Sequence, residues 1–303
     1  VTNLSITFDA ITVEGSFDQA RSQLVLENED AKHACTMIDS VFAEFALLHE
    51  NSDFLNPAVI DGAIIQGQKR FIRIRPQIEE EVRQIRAEAL ASNEPDPLPG
   101  GQAFINFDSV ESSCPLLEKG RMKTANLVQN SAALFENTLQ DLGAIQGRAV
   151  FGGFTARGES FGVVLYKNEA QEVQEVVYFD SHSRPANGTP HACAKTFNTI
   201  DEAARFLAHR NPFEQGAAAQ RNQLTITPMR LSPALQNFRN AQQRYNTSED
   251  AERDPEALVE CYEVLNQQKP SVGQAILHLT GNQKNAAALA RVTSGTIFHA
   301  FII

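Results

Sequence analysis

Val176–Val177–Tyr178–Phe179–Asp180–Ser181–His182–Ser183–Arg184 is a β-branched and aromatic run that reads as a strand and ends in titratable residues spaced i, i+2. Alternate side chains of an extended chain share a face, so Asp180 and His182 stand side by side about 7 Å apart along the backbone. A carboxylate at that range can hydrogen-bond an imidazole, fix its tautomer and stabilise its protonated form. The plain alternative is a strand end with a surface Asp and His. Only a Ser or Cys brought to the pair would make it a nucleophilic site.

Working outward, the period of two begins at Gly147. Arg148–Thr155, Ser160–Tyr166 and Val173–His182 read as an antiparallel meander, with turns at Ala156–Glu159 and Lys167–Glu169. Thr199–Ile200–Asp201–Glu202 is a capping box before a helix to His209, and Leu224–Met229 reads as one more strand. Upstream, Leu4–Phe8 and Ile11–Val13 alternate like a strand or hairpin, and Ser16–Lys32 is polar with little regular pattern. Cys35 opens a helix in which Ile38, Phe42, Phe45 and Leu48 recur at helical spacing, with Asn28, Asp30 and Asp39 about its start. Pro57–Phe71 reads as a second helix. Pro76 starts a third, Gln77–Ala91, with Ile78, Val82, Ile85 and Leu90 on one face. Ser92–Gly101 is a loop; a short strand Ala103–Phe107 and a helix from about Met122 to Leu142 follow. Beyond Ser232 the pattern is helical and polar: Pro233–Tyr245, Pro255–Gln267, Val272–Leu279 and Asn282–Val292. Helices, then a sheet, then helices give an α+β chain, with residues 1–231 as one domain and 232–303 as a helical C-terminal extension.

The 303 residues include 26 Lys and Arg against 37 Asp and Glu, a net charge of −11. Nucleic acid is not expected as a partner, because it demands a basic footprint. With 42% hydrophobic residues and no apolar run of about 18, no membrane span is expected. No basic stretch followed by an apolar core opens the chain, so no signal peptide is expected, and both ends read as cut. Cys35, Cys114, Cys193 and Cys261 are scattered and form no CxxC, which excludes a zinc ribbon and suits a reducing compartment. No ligand spacing calls for a metal, and Gly152–Gly153 lies in a strand rather than a phosphate loop, so no cofactor is expected.

Cys35 is the candidate nucleophile. A thiol at a helix N-terminus feels the positive end of the macrodipole, and a neighbouring imidazolium favours thiolate further; a buried core Cys is the bland alternative. Gln19 carries an amide donor able to bind an oxyanion, with Gln23 a competitor for that role. His33, two residues before Cys35, is a secondary candidate. His49, His209 and His299 read as surface or capping residues, and Cys114, Cys193 and Cys261 follow no nucleophile pattern.

The order Gln, then Cys opening a helix, then a sheet ending in Asp-x-His resembles the deubiquitinating cysteine protease domain of herpesvirus large tegument proteins and its tegument-like relatives. The similar pieces are Phe17–Asp18–Gln19, Ala34–Cys35–Thr36, the segment from Asp53–Phe54–Leu55–Asn56 to Gly67–Gln68, and Val177–Arg184. The resemblance runs from about Ser16 to Met229; Ser92–Gly101 and everything after Ser232 have no counterpart in it. It implies a papain-like fold, Cys35 as nucleophile, His182 as general base, Asp180 as its orienting partner and Gln19 as oxyanion donor. It further implies ubiquitin or polyubiquitin as partner, and a cytosolic site of action, in the host cell if the chain comes from a pathogen. Two other classes share these residues: a glutamine deamidase or transglutaminase with the same Cys–His–Asp set, and a catalytically inert ubiquitin-binding module.

Overall fold

The computed structural model describes residues 10–92, 107, 114, 116–185, 188–216, 219–247 and 264. In chain order the strands are β1 (Ile11–Glu14), β2 (Leu117–Lys119), β3 (Lys123–Asn126), β4 (Ala149–Ala156), β5 (Glu159–Lys167), β6 (Val173–Asp180), β7 (Cys193–Phe197) and β8 (Gln223–Leu231). The α-helices are α1 (Gln23–Glu27), α2 (Cys35–Leu47), α3 (Pro57–Ala91), α4 (Ala132–Gly143), α5 (Ile200–Arg210) and α6 (Pro233–Thr247). The chain divides into two compact units, residues 1–113 with 119–229 and residues 114–118 with 230–303.

The first unit is an antiparallel sheet in the order β1-β7-β6-β5-β4-β8, with β3 paired to β8. The meander forms as its pattern predicts. Between β4 and β5, Arg157 (φ 57°) and Gly158 (φ 80°) both take left-handed backbone, the two-residue turn whose twist matches that of the strands it joins. Side chains then alternate between two apolar layers. Phe161, Val163 and Leu165 of β5 join Val176 and Tyr178 of β6 in a cluster with Phe135 and Leu139 of α4 and Phe206 and Leu207 of α5. On the opposite face Phe179 of β6 stacks on Phe42 of α2, with ring centroids 4.0 Å apart, and the Tyr166 hydroxyl donates to the Ala46 carbonyl at 2.9 Å. Every residue of α2 after Cys35 is buried. Its apolar residues run all round, as a helix enclosed by other elements requires.

One close approach sets the packing of α2 on α3. A Cβ at Gly67 would lie 2.5 Å from the Ile38 Cα, so only glycine lets the two backbones meet there.

In the second unit the Ser232 N–H donates to the Leu116 carbonyl at 3.0 Å. Arg230 Nε lies 3.3 Å from Glu118 Oε2. Ala234, Leu235, Phe238 and Ala241 of α6 are buried. Of the helices expected beyond Ser232, the first is α6; the other three lie outside the described residues apart from Val264.

Several expectations need correction. The helices placed at 57–71 and 77–91 are one, α3, with Pro76 inside it rather than at a start. Proline removes one helical hydrogen bond, but strong helix formers flank it and no glycine or turn residue stops the helix between 68 and 91. Arg75 bridges the joint, pairing with Glu79 at 2.6 Å and with Asp30. The apolar stripe expected on that half does not pack: Ile85 and Leu90 are 45% and 81% exposed. The helix expected from Met122 begins only at Ala132, because Lys123–Asn126 pair with Gln223–Ile226 as a strand. β7 and α1 went unread; Cys193–Phe197 carries a Lys and a Thr that break its apolar pattern. Leu4–Phe8, Ser92–Gly101 (but for Ser92) and Ala103–Phe107 (but for Phe107) fall outside the described residues.

The two α3 glycines make a paired test. Gly67→Ala is expected to lower stability by about 1–3 kcal/mol through overpacking. Gly62→Ala, where a Cβ meets nothing within 4 Å, is expected to raise it by about 0.5–1 kcal/mol. Opposite shifts in thermal melting midpoint check the crossing.

Candidate active site

Cys35 is the first residue of α2, where backbone N–H groups have no acceptor within the helix. The 3-10 turn Glu29–His33 delivers it there, capped by the Asn28 side chain, which accepts from the Asp30 N–H at 3.1 Å. Asp180 ends β6, in register with Cys193 of β7, and His182 follows two residues on. The His182 Nδ1 lies 2.7 Å from Asp180 Oδ1, and the His182 backbone N–H donates to the same oxygen at 3.0 Å. With Nδ1 held on the carboxylate, the other ring nitrogen is left for the Cys35 thiol, and the two groups shift each other's titration.

The second carboxylate oxygen is held from three elements. Asp180 Oδ2 accepts from the Tyr178 hydroxyl at 2.7 Å, from Arg210 Nη2 at 2.8 Å and Nε at 3.1 Å, and from Arg184 Nε at 3.2 Å. Arg210 ends α5, also bonds the Tyr178 oxygen, and lies over the Phe161 ring at 4.6 Å from its centroid. Arg184 reaches Glu159 with its other nitrogen.

These contacts shift the titration of each group in a definite direction. Burial would raise the pKa of Asp180, but Arg210, the His182 hydrogen bond and Arg184 hold it well below the usual carboxylate range. Burial would lower that of His182, yet its bonds to Asp180 and Cys35 push it up to about 10. Burial also raises the Cys35 thiol; the His182 imidazolium, with Ser160 of β5 beside it, brings the net shift below the ordinary value of 9.0. Both shifts favour a thiolate on Cys35 beside an imidazolium on His182. One turn along α2, Asp39 is wholly buried with neither carboxyl oxygen hydrogen-bonded. Burial and the Cys35 charge push its pKa well above the ordinary carboxylate value, which favours its neutral form beside the thiol.

Gln19 is drawn into the same region. Its backbone N–H donates to the Ser181 carbonyl at 3.0 Å, and its side-chain oxygen accepts from the Ser181 hydroxyl at 2.8 Å. Its amide nitrogen donates to the Lys32 carbonyl at 2.9 Å, three residues before Cys35. An amide carries two N–H donors, so one remains for a ligand. Gln23 is exposed at the start of α1 and His33 is exposed at the end of the 3-10 turn. His49 stacks on Phe54 at 4.5 Å, His209 is exposed, and His299 lies outside the described residues. Cys193 is buried with its thiol pushed up to about 12 by burial. Arg210, Ser181, Ser160 and Asp39 carry no local sequence signal for a site; Arg210 is foreshadowed only by the capping box, whose Thr199 accepts from the Glu202 N–H at 3.2 Å and starts the helix that ends on it.

Among the described residues, no three His, Cys, Asp or Glu side chains gather for a metal, and no helix is long and apolar enough to cross a membrane. A Cys-bearing helix thus packs on an antiparallel sheet whose strand end carries Asp180, with His182 two residues beyond it.

No family model matches the chain, nor does any curated protein. Among solved structures it is similar to the ubiquitin-specific protease encoded by the murine cytomegalovirus tegument protein M48, in complex with a ubiquitin-based suicide substrate. That likeness has 12% identity and a TM-score of 0.48 over 74% of this chain and 88% of the other. It is also similar to the Pseudomonas avirulence protein AvrPphB, with 13% identity and a TM-score of 0.41 over 71% and 98% of the two chains.

The pair gives a pH prediction with a definite sign. A His raised from 6.5 to about 10 stabilises the fold fully below pH 6.5, and that contribution fades as pH rises through about 10. Cys35→Ala and Asp180→Asn each remove a group that raises His182, so each is expected to lower its titration midpoint, read by NMR of the ring protons. An unchanged midpoint in both variants would contradict the pair.

Proposed function

We propose that the chain is a cysteine-dependent deubiquitinase that hydrolyses the bond after the C-terminal glycine of ubiquitin through a thioester. The observation that carries this reading is the 2.7 Å His182–Asp180 hydrogen bond beside a Cys at the first position of a buried helix. The ubiquitin assignment is supported by three of the sequence islands of the tegument-like resemblance. Residues 17–19, 34–36 and 177–184 are far apart in the chain, yet Gln19 bonds both Ser181 and Lys32, and Cys35 and His182 shift each other's titration.

The roles follow from the chemistry. The Cys35 thiolate attacks the carbonyl carbon of the scissile bond, and the charge that develops on its oxygen is met by the free N–H of Gln19 and the backbone N–H at the α2 terminus. His182, already an imidazolium, protonates the departing amine; the acyl group stays on sulfur. Neutral His182 then takes a proton from water, which attacks the thioester and releases the ubiquitin carboxylate and the thiolate. Asp180 keeps the ring oriented and charged without reacting. Residues 1–231 carry this chemistry in our reading, residues 232–303 are an extension, and the place of action is the cytosol, where ubiquitin is.

Ubiquitin carrying a C-terminal electrophile tests the proposal. The expected result is a mass gain of one ubiquitin that vanishes in Cys35→Ala. Asp180→Ala is expected to keep residual hydrolysis, reduced by about 10³–10⁴-fold as for an orienting carboxylate. A folded chain that forms no adduct would sink the deubiquitinase reading. Release of ammonia from glutamine on a target protein, or amine incorporation there, would replace it with the deamidase or transglutaminase class. Ubiquitin binding that survives Cys35→Ala without any adduct in the parent chain would indicate an inert binding module.

A further inference from the structure

Gln68 is wholly buried on α3 and belongs to no step above. Its amide nitrogen donates to the Gln19 carbonyl at 2.7 Å and to the Ala31 carbonyl at 3.2 Å. Its oxygen accepts from the Ser22 hydroxyl at 2.6 Å. The two carbonyls can only accept, so they fix which end of the amide is nitrogen. Both N–H groups are thereby spent, and each is spent on a different segment. One holds the loop that carries Gln19; the other holds the 3-10 turn that delivers Cys35.

Besides the Gln68 bonds, these two segments are joined directly by the Gln19 amide bond to the Lys32 carbonyl. Residues 16–22 form no regular element, and the following α1 buries none of its residues. Gln19 itself is then bound at four points: its N–H by Ser181, its carbonyl by Gln68, its side-chain oxygen by Ser181 and one amide N–H by Lys32. The Lys32 carbonyl sits one residue from the Ala31 carbonyl that Gln68 also grips. Gln68 therefore fixes the Gln19 main chain relative to the carbonyl that aims the Gln19 side chain.

We propose that Gln68 is a positioning residue for the oxyanion: it locks the Gln19 loop to the Cys35 turn so that the remaining Gln19 N–H is preorganised before substrate arrives. This rests on the role given to Gln19 above. Preorganised donors stabilise charge without reorganising at the moment of reaction. A misplacement of about 1 Å can cost about 10²-fold, so loosening the lock acts on kcat rather than on substrate binding.

The test compares the parent chain with Gln68→Met, Ser22→Ala, Gln19→Ala and Gln19→Ala/Gln68→Met. Gln68→Met keeps the volume and loses both donors; Ser22→Ala keeps both donors and removes only the bond that orients the amide, so it guards against a variant that fails to fold. The first readout needs no substrate: the side-chain amide NMR signals of 15N-glutamine-labelled protein, with Gln19 assigned from Gln19→Ala. The two Gln19 protons are expected at shifts set by its fixed hydrogen bonds in the parent, and to move toward the values of free glutamine or broaden by exchange in Gln68→Met, partly so in Ser22→Ala. Alkylation of Cys35 by iodoacetamide is expected to change by less than about twofold, since the thiolate depends on His182. The second readout is hydrolysis of a fluorogenic ubiquitin C-terminal amide. Here kcat is expected to fall about 10-fold or more in Gln68→Met with KM unchanged, and the double variant is expected to be no slower than Gln19→Ala alone. Unchanged Gln19 signals in Gln68→Met, or additive losses in the double variant, overturn the proposal. If the parent chain hydrolyses no ubiquitin amide, the deubiquitinase reading fails and the Gln19 signals alone decide the role of Gln68.

Discussion

A buried carboxylate is the constraint on which this site depends. Asp180 is fully buried, and an unpaired charge there would cost several kcal/mol or protonate. It stays ionised because Tyr178, Arg184, Arg210 and His182 all donate to it. Those donors come from β6, from the segment after it and from the end of α5, so the anion ties a helix terminus to a strand end. Having secured one oxygen with two arginines, the protein leaves the other facing His182. The raised pKa of His182 and the lowered one of Cys35 follow from that choice.

The sheet supplies the frame. Two apolar faces let β5 and β6 pack α2 on one side and α4 with α5 on the other. α2 thereby sets its first residue at the sheet edge where β6 ends, and α5 sets Arg210 beneath it. The site is the meeting point of a helix start, a strand end and a helix end. Each is a place where the regular pattern stops, which is where side chains are free to converge.

Charge economy within the site also has a cost. A Cys35 thiolate and Asp180 place two anions close together, and Asp39 is a second carboxyl in the same region. Its oxygens lack hydrogen-bond partners and it remains neutral. Ser160 on β5 faces the same sulfur. The interior beneath the nucleophile is therefore tuned by groups that take no proton from substrate.

Local sequence determined a good deal. The period-two runs and the Arg157–Gly158 turn set the meander, Thr199 set the start of α5, and the i, i+2 spacing set Asp180 beside His182. Cys35 at a helix start and Gln19 upstream were legible as residue types in an order. What local sequence misjudged shows its limit. Pro76 reads as a start, yet α3 runs through it because nothing nearby terminates the helix and Arg75 bridges it; Lys123–Asn126 reads as helix, yet β8 recruits it as a strand. Tertiary structure alone decided which partners meet. Arg210 comes to Asp180 across 30 residues, Gln68 to Gln19 across 49 and Ser181 to Gln19 across 162. Propensity and periodicity act over one turn or one strand, whereas burial pays for polar contacts only where distant segments exclude water together. That is why the sequence could name Cys35, Asp180 and His182 as candidates and only the fold could name the residues that surround them.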